Sequence, residues 1–231
     1  MNNNGKIALI TGLEFEASLA RKAGKDQADG VVVGVAGLGA PFVGKAVADA
    51  KAAGVRGIVS FGVCGGLDPA LPAGSVILPQ TILAPQELPV DLVWRDRLQE
   101  VLSEQYDITT RPLLTVKETV TSVEQKAELF TQTGACAVDM ESAVLARQAA
   151  KNGLSFIAVR VVHDPASQAI PAAFADIINP NGQINVWKMI KGLAFSWPGA
   201  KVLQELSVND KQARTNLAGL TRLALPDFGF R

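Results

Sequence analysis

Glu14 and Glu16 directly follow an apolar run, Asp139 and Glu141 flank Met140 at the mouth of a helical stretch, and Arg160, His163 and Asp164 close a second apolar run. A carboxylate at the end of a strand is where a general base would stand. Each acid also has a purely structural explanation. Glu14 and Glu16 suit the positive end of a helix, Glu141 suits the first turn of the next one, and Asp164 forms a turn before Pro165. Two glycine groups accompany these acids. Gly34-Val-Ala-Gly37-Leu-Gly39 precedes a helix, where glycines bring backbone N–H groups to an anion or hydroxyl. Gly62-Val63-Cys64-Gly65-Gly66 ends an apolar run, and adjacent glycines there are costly in conformational entropy, so they mark close approach of the backbone to something. A dinucleotide fingerprint would require an acid about 20 positions beyond the first group, and Arg56–Val59 supplies none.

Elements that could position these residues are legible in the pattern. Val- and Ile-rich runs over Lys6–Thr11, Gly30–Ala36, Gly57–Gly62, Ser75–Leu83, Pro112–Val116 and Leu154–Val162 read as strands. Helical periodicity covers Leu13–Lys22, Pro41–Ala53, Asp91–Gln105, Ser122–Gln132, Met140–Asn152 and Val186–Phe195. Because the strands are apolar on both faces, helices must cover both sides of the sheet. The expected fold class is α/β, a three-layer αβα sandwich around a mixed central sheet. Ligands bind such sheets at the carboxyl ends of the strands, which is where the acids and glycines fall. Pro165–Gly182, with three prolines and an Asn-Pro-Asn-Gly turn, is expected to be a loop. Lys201–Leu225 is more polar and helical. We read residues 1–231 as one domain with a helical C-terminal extension from about residue 184.

The 231 residues balance 22 Lys+Arg against 22 Asp+Glu, so no overall basic field exists to hold nucleic acid. Apolar residues make up 48% and charged residues 19%, yet no run approaches the about 18 apolar residues of a membrane span. The start, Met1-Asn-Asn-Asn-Gly-Lys6, lacks the features of a secretory signal, and a cytoplasmic location is expected. One histidine and two cysteines, Cys64 and Cys136, in no paired spacing leave no His-rich or Cys-paired metal site. Both thiols are expected reduced in the core.

Taken together and in order, Glu16, Gly62-Val-Cys-Gly-Gly-Leu67, Val138-Asp-Met-Glu141 and Arg160-Val-Val-His-Asp164 resemble the purine nucleoside phosphorylase and nucleosidase superfamily over about residues 6–165. Within it the hydrolase side resembles methylthioadenosine/S-adenosylhomocysteine nucleosidase. The longer text from Ser60 to Leu71, with Arg160–Ala166 and its Pro-rich, Asn-Gly-containing continuation, is similar to the hopanoid-associated phosphorylases, which strip adenine from adenosylhopane.

The resemblance implies cleavage of an N-ribosidic bond through an oxocarbenium-like sugar. Asp164 then matches the acid that hydrogen-bonds or protonates purine N7, for which a site that raises its proton affinity is expected. Glu141 matches the acceptor of the 2′ and 3′ hydroxyls, and Met140 packs on the ribose. Glu16 matches the base that takes a proton from water, and Arg160 the residue that positions water or an anion. Gly62, Val63, Cys64 and Gly65 match the turn beside the nucleophile or phosphate. Val120 and Thr121, with Asp139, match the base-binding strip, although Val120 replaces the family's aromatic stacking residue. Val63 also replaces the Ser or Thr of the hydrolases, and His163 replaces a common Ser.

Hydrolysis and phosphorolysis both stay open. Hexameric-type phosphorylases place arginines near the positions of Glu16 and Ser60, and a carboxylate about 4 Å from a phosphate is repelled by about 1 kcal/mol even in water; the subgroup's name points the other way. No cofactor is implied, inorganic phosphate being a co-substrate if the enzyme is a phosphorylase. The expected partner is a small 5′-substituted adenosine, bound by a homo-oligomer, dimer or higher. A hopane would need an apolar groove, for which Ile170, Phe174, Ile177, Ile178 and Val186–Trp197 are candidates. Trp187, Lys188, Lys191 and Trp197 suit a peripheral contact with the inner membrane. Rival readings are a general methylthioadenosine nucleosidase and a non-catalytic adenine-nucleoside binding protein.

Overall fold

Strand β1 (Lys6–Thr11) shows why the sheet must be covered on both sides. Its residues alternate, Ile7 and Leu9 entering one apolar cluster while Ala8 and Ile10 enter the other. The same alternation runs along β10 (Ser155–Asp164), with Ile157, Val159 and Val161 on one side and Phe156, Ala158 and Val162 on the other. The computed structural model describes residues 6–24, 30–37, 40–170, 200–224 and 228–230. Between β1 and β10 lie α1 (Glu14–Gly24), β2 (Val31–Val35), α2 (Ala40–Ala52), β3 (Val55–Gly66), β4 (Val76–Ile77), β5 (Thr81–Leu83), β6 (Glu87–Pro89) and α3 (Leu92–Leu102). There follow β7 (Ile108–Thr109), β8 (Leu113–Thr115), α4 (Val123–Thr133), β9 (Ala137–Asp139) and α5 (Ser142–Lys151); after β10 comes α6 (Ala200–Ala224).

The result is a three-layer αβα sandwich around a mixed sheet. Long β3 is its spine: parallel to β1 as far as Ser60 and to β10 as far as Gly65, it pairs antiparallel with β9 at Gly65 and Gly66. Val43, Val47 and Ala50 of α2 and Leu145, Ala146 and Ala149 of α5 fill one face. Ala20 of α1, Trp94, Leu98 and Leu102 of α3, and Ala213, Leu217 and Leu220 of α6 fill the other. Among the described residues no helix is long and apolar enough to cross a membrane.

The expected strand Ser75–Leu83 is split in two. Pro79 has no N–H for a ladder, and its neighbours Leu78 and Gln80 donate to the carbonyls of Thr109 and Thr110, so β4 pairs with β10 and β7 while β5 pairs with β6 and β8. The expected turn at Gly62–Gly66 is instead the second half of β3. Gly62, Val63, Cys64 and Gly65 are therefore ladder residues opposite Arg160, Val161, Val162 and Asp164, not a phosphate-wrapping loop. The expected helix from Met140 begins two residues later at Ser142, because Val138 and Asp139 belong to β9. Two- and three-residue strands β6, β7 and β9 carry too little pattern to be read from sequence. Asp91 caps α3, and Ser122 with Gln125 forms a reciprocal capping box on α4, which ends on left-handed Gly134. Gly37 is also left-handed, at the turn into α2. Cys64 and Cys136 are free and buried. The helix expected at Val186–Phe195, with Phe174, Ile177, Ile178, Trp187, Lys188, Lys191 and Trp197, lies outside the described residues, as does Gly39.

Candidate active site

Three glycines on or just past the central strands each leave room for a different carboxylate. A Cβ added to Gly12, just past β1, would sit 3.0 Å from Glu141 Cδ; one on Gly62 would sit 2.7 Å from Glu16 Cδ; one on Gly65 would sit 3.1 Å from Asp164 Oδ2. The absence of side chains there lets acids from α1, from the β9–α5 junction and from β10 press onto the backbone of the central strands.

Glu16 is 2% exposed in the first turn of α1. Its carboxylate accepts from Leu13 N–H at 2.9 Å and Val63 N–H at 2.8 Å. Burial raises its proton affinity, opposed by the Arg160 charge and by backbone donors at Val63, Leu13 and Gly12. Glu141 stands at the N-cap of α5 without capping it. Burial pushes its carboxyl up too; Arg160 pulls it down, while Asp139 and Glu16 push it further up.

Arg160 lies at the centre of these acids. Position 160 falls on the same side of β10 as Ala158 and Val162, where an apolar residue would face α2 and α5. The guanidinium is 1% exposed and is held by Asp139 (Nε to Oδ2, 2.9 Å), Ser60 (Nη2 to Oγ, 2.7 Å) and Ser142 (Nη2 to Oγ, 3.1 Å), with Glu141 Oε2 at 3.6 Å. Its charge is kept despite burial because three carboxylates face it. Asp139 also accepts from the Ser142 hydroxyl and from Thr115 Oγ1, the latter at 2.7 Å. Its oxygens thus accept from Arg160, from the start of α5 and from β8.

Asp164 is 6% exposed, and the side chains nearest its oxygens are basic. Cations face it. Lys126 of α4, fully buried, donates to Asp164 Oδ2 at 2.6 Å and also to the carbonyls of Asp164 (3.2 Å), Pro165 (2.9 Å) and Gln168 (2.9 Å). His163 Nδ1 lies 3.5 Å from the other oxygen, Oδ1, and its Nε2 lies 3.4 Å from Asp210 of α6. Burial alone would lower the imidazole's affinity for a proton, but Asp164 and Asp210 outweigh it and raise the pKa to about 9. Asp210 is correspondingly lowered to about 2, first by His163 and then, against desolvation, by Arg214.

Sequence reasoning missed Lys126. The signal was present: with Val123, Leu129 and Phe130 it occupies the inward stripe of α4, where a lysine is out of place. Ser142, Asp210 and Arg214 were also missed, being ordinary polar residues on helices. Thr119 Oγ1 lies 3.7 Å from the Met140 sulfur, placing Met140 beside the 116–121 segment. Val120 packs on the cluster of Leu67, Leu114 and Val138. Thr121 spends its N–H on Gln125 Oε1 (3.2 Å) and its carbonyl on Ile170 N–H (2.8 Å), so its peptide groups are engaged within the protein.

A mixed αβα sandwich with acids and an arginine gathered at the carboxyl ends of its central strands is the architecture of nucleoside phosphorylases and nucleosidases. The sequence profile of the phosphorylase superfamily matches residues 11–190, and the chain belongs to that family of enzymes. It is similar in structure to futalosine hydrolase of Helicobacter pylori (TM-score 0.70, 14% identity, covering 95% of this chain and 97% of that one). It is equally similar to the Neisseria meningitidis 5′-methylthioadenosine/S-adenosylhomocysteine nucleosidase in complex with methylthio-immucillin-A (TM-score 0.70, 17% identity, 95% and 98% covered). The Helicobacter pylori nucleosidase with butyl-thio-DADMe-Immucillin-A gives 0.67 at 16% identity, with 95% and 98% covered. No curated protein matches the sequence.

Proposed function

We propose that this protein cleaves the N-ribosidic bond of a 5′-substituted adenosine with water, releasing adenine. The supporting observation is the seat of Glu16: its carboxylate already occupies the Val63 N–H and the donors at the start of α1, the backbone groups a phosphate would use. Arg160 is likewise committed to Asp139 and two serines. A phosphate dianion placed here would meet Glu16 and Glu141 in a poorly screened pocket.

In this reading the C1′–N bond breaks with its electron pair going to the purine, and Asp164 directs a proton to N7. Glu141 accepts from the ribose hydroxyls and favours the cationic sugar, against which Met140 packs. Water held near Arg160 adds to C1′ and passes its proton to Glu16, whose raised proton affinity suits that task. Val120 lines the base. The sequence resemblance favours adenosylhopane as the substrate, with the enzyme cytoplasmic and meeting the membrane peripherally, and a second copy of the chain completing the 5′ pocket. Methylthioadenosine is the alternative.

The test is adenine release from a panel of adenosines bearing methylthio or long apolar 5′ groups, with and without phosphate. The unphosphorylated 5-substituted ribose as product, at equal rates in both, supports hydrolysis. Strict phosphate dependence with a sugar 1-phosphate product overturns it in favour of the phosphorolysis that the hopanoid subgroup's name carries. Preference for the methylthio compound, with no binding to liposomes, would rule out the hopane substrate.

A further inference from the structure

The two oxygens of Asp164 have different partners, and the difference has a direction. Oδ2 is held by Lys126, which is fully buried and also donates to three carbonyls. Oδ1 faces His163, whose second nitrogen faces Asp210. The His163 side chain is 27% exposed and that of Asp210 37% exposed, so this line of groups runs from the buried acid outward to the surface of α6. At its outer end Arg214 donates to Asp210 at 2.7 Å and stacks at 4.0 Å over the ring of Phe15, the neighbour of Glu16.

We propose that His163 is a positioning residue that supplies the proton Asp164 delivers: it hands a proton from its Nδ1 to Asp164 Oδ1, from which that proton passes to the departing purine, and it is itself recharged from solvent on the Asp210 side. The inference rests on the purine-release reading above and adds the source of its proton. The balance is simple. As the C1′–N bond breaks, its electron pair raises the basicity of N7; the imidazolium proton moves to Asp164 Oδ1 and from there to N7, so that Asp164 is a carboxylate before and after. His163 ends neutral until water returns a proton. Lys126 stays hydrogen-bonded to its four acceptors on the other side of Asp164. The charged groups that face His163 are Asp164 on its own strand, Asp210 with Arg214 on α6, and, across Asp164, Lys126 on α4. With both nitrogens turned to carboxylates, the imidazole holds its proton up to about pH 9 and is loaded at neutrality.

The chain contains a single histidine, so its imidazole can be titrated without assignment by NMR of histidine-labelled protein. The expected result is a midpoint near 9 that falls by about one unit or more in Asp210→Asn. In the same proteins, kcat for adenine release from the best substrate of the panel should decline on the alkaline side with that midpoint and move with it. His163→Gln should lose about 100-fold in kcat with KM little changed, and should lack that limb. An imidazole that is neutral at pH 7, or an alkaline limb that stays put when Asp210→Asn moves the titration, overturns the relay. Failure of the purine-release reading looks different: Asp164→Asn would retain wild-type turnover whatever the imidazole does.

Discussion

Replacing Lys126 with methionine tests the most unexpected contact in the protein. The substitution keeps much of the volume of a side chain that is fully buried, and removes the cation opposite Asp164 Oδ2 together with the donor to three carbonyls. Breaking a buried pair by deleting one partner leaves a charge without compensation and costs about 3–5 kcal/mol. For a chain of this length that corresponds to roughly 6–20 °C in Tm, at about 2–4 °C per kcal/mol. Urea unfolding followed by tryptophan fluorescence, to which buried Trp94 contributes, reads the change. Lys126→Gln, which retains two donors but not the charge, should fall between. The cycle with Asp164→Asn separates pairing from packing: in an Asp164→Asn background Lys126→Met should cost at least about 1 kcal/mol less than in the wild type. A Lys126→Met protein within about 1 kcal/mol of wild type, or a cycle with no coupling, would falsify the assignment of Lys126 as the anchor of Asp164.

Gly62→Ala should displace Glu16 and touch Arg160, since the new methyl carbon would lie 2.7 Å from Glu16 Cδ and 2.8 Å from Arg160 Nη1; we expect about 1–3 kcal/mol of destabilisation and at least about 100-fold loss of turnover, and an active, stable variant would refute the cradle. Asp164→Asn should abolish adenine release while leaving the fold cooperative, as shown by an unchanged far-UV spectrum. Stability should fall as pH rises above neutrality. His163 binds its proton more tightly folded (about 9) than unfolded (6.5), so its contribution is complete below about 6.5 and lost as pH passes 9, at most about 3 kcal/mol. In His163→Gln that part of the pH–stability slope should disappear; an unchanged slope would assign it elsewhere.

Much of the fold was legible because its long elements carry their period openly. The doubly apolar runs became β1, β3 and β10, and the helical periods read from Asp91 and Ser122 start at real helix caps. What misled was local grammar read without partners. Gly62–Gly66 looked like a turn, since glycines break strands in isolation, yet β9 and β10 supply ladders on both sides and carry the strand through them. Ser75–Leu83 looked like one strand because its apolar run hides what Pro79 does to hydrogen bonding. Cys64 illustrates a correct reading: a lone thiol in an apolar run proved buried, with burial raising its pKa well above the ordinary thiol value.

By itself the sequence determined the α/β class, the order of the long elements, and the presence near strand ends of Glu16, Glu141, Arg160 and Asp164, because strand and helix periods and glycine placement are local properties of the chain. Only the tertiary structure decided what each of those charges faces. Lys126 meets Asp164 across 38 residues, Arg160 meets Ser60 across 100, and His163 meets Asp210 on a helix from the far end of the chain. Such pairs depend on how helices settle against the sheet, and a charge's proton affinity follows from those neighbours and from its burial rather than from its place in the sequence.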